Sequence, residues 1–160
     1  FSTGSFGHGL PFGVGKALVA KKRNLFWRTY VLMSDGEMQE GSNWEAFMFA
    51  AHHRLDNLVA VIDYNNLQSL TNVDKTLNIM PLDKKLKSFG WHVIEAAGHD
   101  HDALIKNFKE ARIIIGKPTV IIAKTTKGKG VSYMENRVEW HYKSPSENEL
   151  KAAISELENA

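Results

Sequence analysis

The chain has 160 residues, 43% of them hydrophobic and 24% charged, a size and balance that suit one soluble globular domain with a core of its own. Lys and Arg number 20 against 18 Asp and Glu, and the formal charge of +2 gives no case for nucleic acid or an anionic membrane as partner. The absence of cysteine excludes disulfides, thiolate metal sites and thiol nucleophiles and suits a cytoplasmic setting, and no apolar run approaches the roughly 20 residues that span a bilayer. The first residue, Phe1, is not Met, and a Gly-rich turn follows it with no leader or cap. The single domain, residues 1–160, is therefore expected to lack part of its N-terminal side.

Leu10, Val14, Ala17 and Leu18 recur at helical spacing, which predicts a helix over Gly7–Lys22 behind the opening turn. Arg28–Met33 is a β-branched and apolar run stopped by Ser34-Asp35-Gly36, so a strand ends on a loop. Ser42 followed three residues later by Glu45 predicts a capping box and a second helix to about His53. Leu58–Tyr64 is almost continuously apolar, as a parallel strand buried on both faces should be, and ends at Asn65-Asn66. Helices are predicted over Pro81–Phe89, Asp100–Ile114 and Ser146–Glu158, with strands at Trp91–Ala96 and Pro118–Thr125 and a polar Gly-rich loop at Thr126–Tyr142. Four strands alternating with helices predict an α/β fold with a mainly parallel sheet flanked by helices, its strands' C-terminal ends sharing one edge. That edge is where ligands bind in such folds.

Asp35 and Asn65 each stand just past a strand, 30 residues apart in one βαβ unit. If the two strands are neighbours, a carboxylate and a carboxamide oxygen face one small volume, a donor set that suits Mg²⁺ or Ca²⁺ better than Zn²⁺. Gly36, ahead of the next helix, allows a phosphate oxygen close to the backbone. Taken singly, Asp35 and Asn65 are ordinary turn residues.

Several motifs in one order extend the pattern across the chain. Thr3-Gly4-Ser5-Phe6-Gly7-His8-Gly9 resembles the TG-x-L-G-Q-G segment of transketolases, and Asp35-Gly36 with Asn65 resembles the thiamine-diphosphate motif, GDG followed by N or NN. Glu40-Gly41-Ser42-Asn43-Trp44-Glu45-Ala46 looks like the EGxxxEA helix start of the same family, and Glu139-Trp140-His141 like its WHG. The resemblance implies the pyrophosphate-binding domain of a transketolase, using thiamine diphosphate and Mg²⁺ or Ca²⁺. It implies Asp35, Asn65 and the Leu67 carbonyl as metal ligands, Gly36 and His141 on the pyrophosphate, and Gly4 and Phe6 beside the cofactor's rings. His141 would also meet the donor substrate or a developing alkoxide, and Glu40 and Glu45 would lie at a subunit interface that links active sites, which gives His141 and Glu40 catalytic roles. The pyrimidine-binding half would come from a second chain, as a dimer of heterodimers, and the reaction would move a two-carbon ketol unit between sugar phosphates.

The sequence departs from the family at Ser34 for the first Gly of GDG, at His8 for Gln and at Tyr142 for Gly, and the family's upstream histidines have no counterpart. Serine resists the positive φ that glycine accepts, although its hydroxyl could bond the turn instead. Alternatives remain open: a subunit of the 2-oxoacid dehydrogenase α type, a 1-deoxyxylulose-5-phosphate synthase, or a truncated non-catalytic relative. Lys124–Gly130 has the composition of a phosphate loop without its spacing, and no GxGxxG follows a strand. His52, His53, His92, His99 and His101 have no metal-site spacing and receive no role, and the four tryptophans are read as packing or interface residues.

Overall fold

The computed structural model describes residues 2–159; Phe1, on which the expectation of an earlier beginning rests, lies outside them. Helix α1 (Gly9–Lys22) leads to strand β1 (Thr29–Ser34), one turn of 3₁₀ helix (Gly36–Gln39) and helix α2 (Gly41–His52). Strand β2 (Leu58–Tyr64), the short α3 (Val73–Thr76), α4 (Leu82–Ser88), β3 (His92–Ala97), α5 (His101–Ile113) and β4 (Thr119–Lys124) follow. A second 3₁₀ turn (Val138–His141) and α6 (Glu147–Glu158) complete the order. Each predicted strand and long helix is present, its ends within two residues of expectation.

The four strands form one sheet in the order β1-β2-β4-β3, and all three pairings are parallel. β1 and β2 are therefore neighbours, with Ser34 opposite Asp63, and the pairing continues one step further through the Asp35 N–H donating to the Asp63 carbonyl at 3.2 Å. The central strands β2 and β4 are the most apolar because α1, α2 and α4 cover one face and α5 the other. The larger core joins Leu10, Val14 and Phe47 to Val31, Ile62 and Val120, and the smaller joins Ala111 to Val59, Ile94 and Ile121.

Phe47 is fully buried and meets Trp91 edge to face at 4.7 Å, while the Trp91 indole N–H donates to the Phe47 carbonyl at 2.8 Å. The Trp44 indole likewise donates to the Met38 carbonyl, so both rings do packing work with satisfied polar edges. No helix among the described residues is long and apolar enough to cross a membrane.

The Ser42 capping box is not formed. Helix α2 starts at Gly41 with Glu40 as its N-cap and no side-chain cap, which leaves Ser42 one step inside the helix. Its hydroxyl donates instead to the Gly7 carbonyl at 2.8 Å. A capping box does occur at α6, where the Ser146 hydroxyl accepts from the Glu149 N–H and the Glu149 carboxylate accepts from the Ser146 N–H. Lys143 pairs with the same carboxylate, and together these donors hold the Glu149 pKa down at about 2.

Two substitutions test this packing. Phe47→Ala removes a ring from a site with no solvent access and is expected to cost about 3–5 kcal/mol in urea unfolding. Ser146→Ala is expected to cost about 1 kcal/mol and to fray α6, as seen in amide exchange of Glu147–Leu150.

Candidate functional site

Asp35 follows β1 and is 1% exposed. Its Oδ1 accepts from the Gly36 N–H at 2.7 Å, and its Oδ2 accepts from the N–H of Asn65 at 2.9 Å and from that of Asn66. One carboxylate thus ties the end of β1 to the end of β2. Burial pushes its pKa above the usual carboxylate value, against the pull of the three N–H groups, and the neighbouring Asp63 carboxylate adds to the rise.

Asn65 directs its Oδ1 to the Leu67 N–H at 2.9 Å and its Nδ2 to Asp63 at 3.3 Å. After Asn66, which adopts φ +61°, the chain turns back so that Leu67 faces Asn72 in an antiparallel bridge. The flanking bonds run from the Gln68 N–H to Thr71 and from the Val73 N–H to Asn66, which makes Leu67 and Asn72 a non-hydrogen-bonded pair. The Leu67 side chain is buried while its carbonyl takes no part in the hairpin.

These residues fit a hard divalent cation. The donors are all oxygen, two carboxylates stand close together with one of them buried, and the Leu67 carbonyl, outside the hairpin bonds among the described residues, offers a further oxygen. The Asn65 oxygen keeps a second lone pair beside the bond it accepts from Leu67. Among the described residues no group of three His, Cys, Asp or Glu side chains could hold a metal, so any such site needs a carboxamide or a carbonyl. The Gly36 N–H, expected to face a phosphate, donates to Asp35 in this structure, and a phosphate oxygen would share or replace that acceptor.

The serine that departs from GDG costs no strained backbone: Ser34 is not among the residues of positive φ, and its hydroxyl accepts from the Glu37 N–H at 3.1 Å. Glu37 is a residue that the sequence patterns missed. It is 6% exposed in a 3₁₀ turn too short to show a period, and its Oε1 accepts from the Gly7 N–H at 2.9 Å. Gly7 has φ +74°, and a Cβ there would lie 2.3 Å from the Ser42 hydroxyl, so only glycine fits.

Gly4 lies in a cleft of about 820 Å³ whose walls include Ser34, Glu37 and Asp63. Phe6 is 67% exposed with its ring folded over Gly4, and Glu40 is exposed next to Gly7. Thus Asp35, Gly36, Asn65 and Leu67 come together at the sheet edge, while Phe6, Glu40 and His141 stand open at the surface.

A second cleft of about 550 Å³ lies beside the first and shares Asp63 with it; Asn65, His99, Thr125 and Lys127 line it. The Thr125 hydroxyl donates to Asp63, and the Thr126 N–H donates to His99 Nε2 at 2.7 Å, so the loop after β4 is pinned to the ends of both β2 and β3. His99, which the sequence patterns give no role, is therefore an acceptor that fixes a loop. Lys127 sits in a segment without phosphate-loop spacing, although its place just past β4, on the ligand-binding edge, marks it out. It brings a cation to the edge and, after burial, helps to lower the His141 pKa below its ordinary value.

Lys127→Ala is accordingly expected to raise the His141 titration midpoint while leaving it below the ordinary histidine value, because the contribution of burial persists. Imidazole NMR shifts followed against pH read this directly.

The profile described as "Transketolase, thiamine diphosphate binding domain" matches residues 2–158. The chain is 45% identical over 158 residues to one subunit of the apulose-4-phosphate transketolase of Actinobacillus succinogenes, covering 99% of this chain and 57% of that protein. It is 40% identical over 157 residues to a 6-deoxy-6-sulfo-D-fructose transketolase subunit of Clostridium sp., covering 98% and 57% respectively. Among solved structures, the transketolase of Campylobacter jejuni superposes with a TM-score of 0.92 at 31% identity, over 98% of this chain and 26% of that one. The chain therefore spans little more than half the length of these subunits and about a quarter of the solved enzyme. By its profile match, its ordered motifs and its sheet, the chain belongs to the transketolase thiamine diphosphate binding domain family.

Proposed function

We propose that this chain holds the metal and diphosphate end of thiamine diphosphate in a split transketolase. The observation that carries the reading is the hydrogen-bonded convergence of Asp35, Asn65 and Leu67 at the C-terminal ends of two paired parallel strands. Asp35, Asn65 and Leu67 would hold Mg²⁺ or Ca²⁺, and Gly36, with Lys127 and His141 on the other side, would receive the diphosphate. The bound thiazolium supplies the carbanion chemistry that breaks and makes the carbon–carbon bond.

The chain's own residues contribute charge, position and a neutral imidazole. Asp35 is held by three backbone N–H groups, so a cation would meet an ordered carboxylate. His141, held neutral over more of the pH range than an ordinary histidine, would present a neutral imidazole to hydrogen-bond the donor substrate or a developing alkoxide. Gly4, on the wall of the first cleft, and Phe6, folded over it, would flank the rings of the cofactor. Glu40, exposed at the start of α2, would meet a partner chain.

The function that follows is transfer of a two-carbon ketol unit from a ketose phosphate to an aldose phosphate, in the cytoplasm, with a pyrimidine-binding chain as partner in a dimer of heterodimers. The two split relatives, named as subunits of an apulose-4-phosphate transketolase and of a 6-deoxy-6-sulfo-D-fructose transketolase, support the division into chains. They also favour a transketolase over a 2-oxoacid dehydrogenase or 1-deoxyxylulose-5-phosphate synthase.

Calorimetric titration of thiamine diphosphate with Mg²⁺ into the assembled pair tests the binding. Asp35→Ala is expected to weaken it at least a hundredfold, since it removes both a charged donor and the tie between β1 and β2. A coupled assay with xylulose 5-phosphate and ribose 5-phosphate, with apulose 4-phosphate as a further donor, is expected to show ketol transfer. Decarboxylation of pyruvate without such transfer would sink the reading.

A further inference from the structure

The turn that runs from Gly4 to Gly9 has little to hold it in place. Residues 2–6 are exposed, and the bonds within the turn are local, such as the Phe6 N–H donating to the Gly4 carbonyl at 2.9 Å. Among the described residues, the side-chain hydrogen bonds that reach the turn from outside both meet Gly7 and both come from the segment just after Asp35. The Glu37 carboxylate accepts from the Gly7 N–H, and the Ser42 hydroxyl donates to the Gly7 carbonyl.

Glu37 is itself fixed on each side. Its N–H donates to the Ser34 hydroxyl, its carbonyl accepts from the Asn43 carboxamide at 2.7 Å, and its carboxylate is buried where a charge is kept only with a partner. A rigid acid two residues past Asp35 therefore sets where the Gly-rich turn can sit.

We propose that Glu37 is a positioning residue: it places the ring-side turn, Gly4–Gly9, in register with the diphosphate-side loop, Asp35–Gly36, so that both ends of one cofactor molecule are met at once. This rests on the reading of the site as a thiamine diphosphate site. In this role Glu37 acts on the cofactor through its bond to the turn. Its effect passes through Gly7, the one residue of the turn that is buried and tolerates no side chain.

The test uses the assembled two-chain protein and two probes, thiamine diphosphate with Mg²⁺ and magnesium pyrophosphate, which has no rings. Glu37→Ala is expected to weaken thiamine diphosphate roughly tenfold in calorimetry and to leave magnesium pyrophosphate unchanged, because a charge-assisted bond to the turn is lost while the metal loop stays. Glu37→Gln, whose amide oxygen can accept the same N–H, should return within about twofold of wild type. Ser42→Ala, which removes only the second anchor, should show the same selectivity at smaller size and covers the case in which Glu37→Ala does not fold. Equal loss of both probes, wild-type binding of thiamine diphosphate by Glu37→Ala, or no rescue by glutamine overturns the proposal. No binding of thiamine diphosphate by the wild-type pair overturns it together with the cofactor reading.

Discussion

The Asp35 carboxylate is the knot of this structure. Parallel strands share no hairpin, so their C-terminal ends diverge into separate loops unless something joins them. Here a single buried side chain accepts backbone N–H groups from its own loop and from the loop after β2. Burial and the neighbouring Asp63 carboxylate disfavour its charge, and three backbone N–H donors favour it. The group is therefore held firmly enough to order two loops at once.

From that knot the arrangement spreads in two directions. Toward the start of the chain, Ser34, Glu37 and Ser42 pass the order of the Asp35 loop to Gly7. Toward its end, Asp63 accepts from Thr125 and from the Asn65 carboxamide, and His99 holds the next residue of the same loop. Asp63 faces both clefts, so the loop that carries Lys127 is tied to a carboxylate that neighbours Asp35. Ionic complementarity between Lys127 and a diphosphate would then be set by the fold rather than by a free side chain.

The sheet and the position of Asp35 and Asn65 were legible in the sequence because burial on both faces writes a continuous apolar run, as in Leu58–Tyr64, and polar residues end it abruptly. The Ser42 expectation failed for a physical reason: the pattern of a capping box says nothing about a competing acceptor, and the Gly7 carbonyl, 35 residues away in sequence, took the hydroxyl. Glu37 was illegible for a related reason, since a buried acid in a single 3₁₀ turn obeys no period and its partner is a distant backbone N–H. His99 and Lys127 were visible as residues but not as neighbours, because only the order β1-β2-β4-β3 brings the loops after β3 and β4 beside that of β2.

The hairpin after Asn66 has an evolutionary side. Leu67 turns its side chain into the core and leaves its carbonyl out of the ladder, so under the proposed metal site one residue would answer to two separate selections. Any residue of suitable bulk satisfies packing there, and every residue brings the same carbonyl oxygen. A donor of this kind cannot be deleted by a point mutation at its own position; it is lost only when the register of Gln68–Thr71 and Asn66–Val73 slips. Drift at position 67 would thus look like ordinary core variation while the oxygen stayed in place.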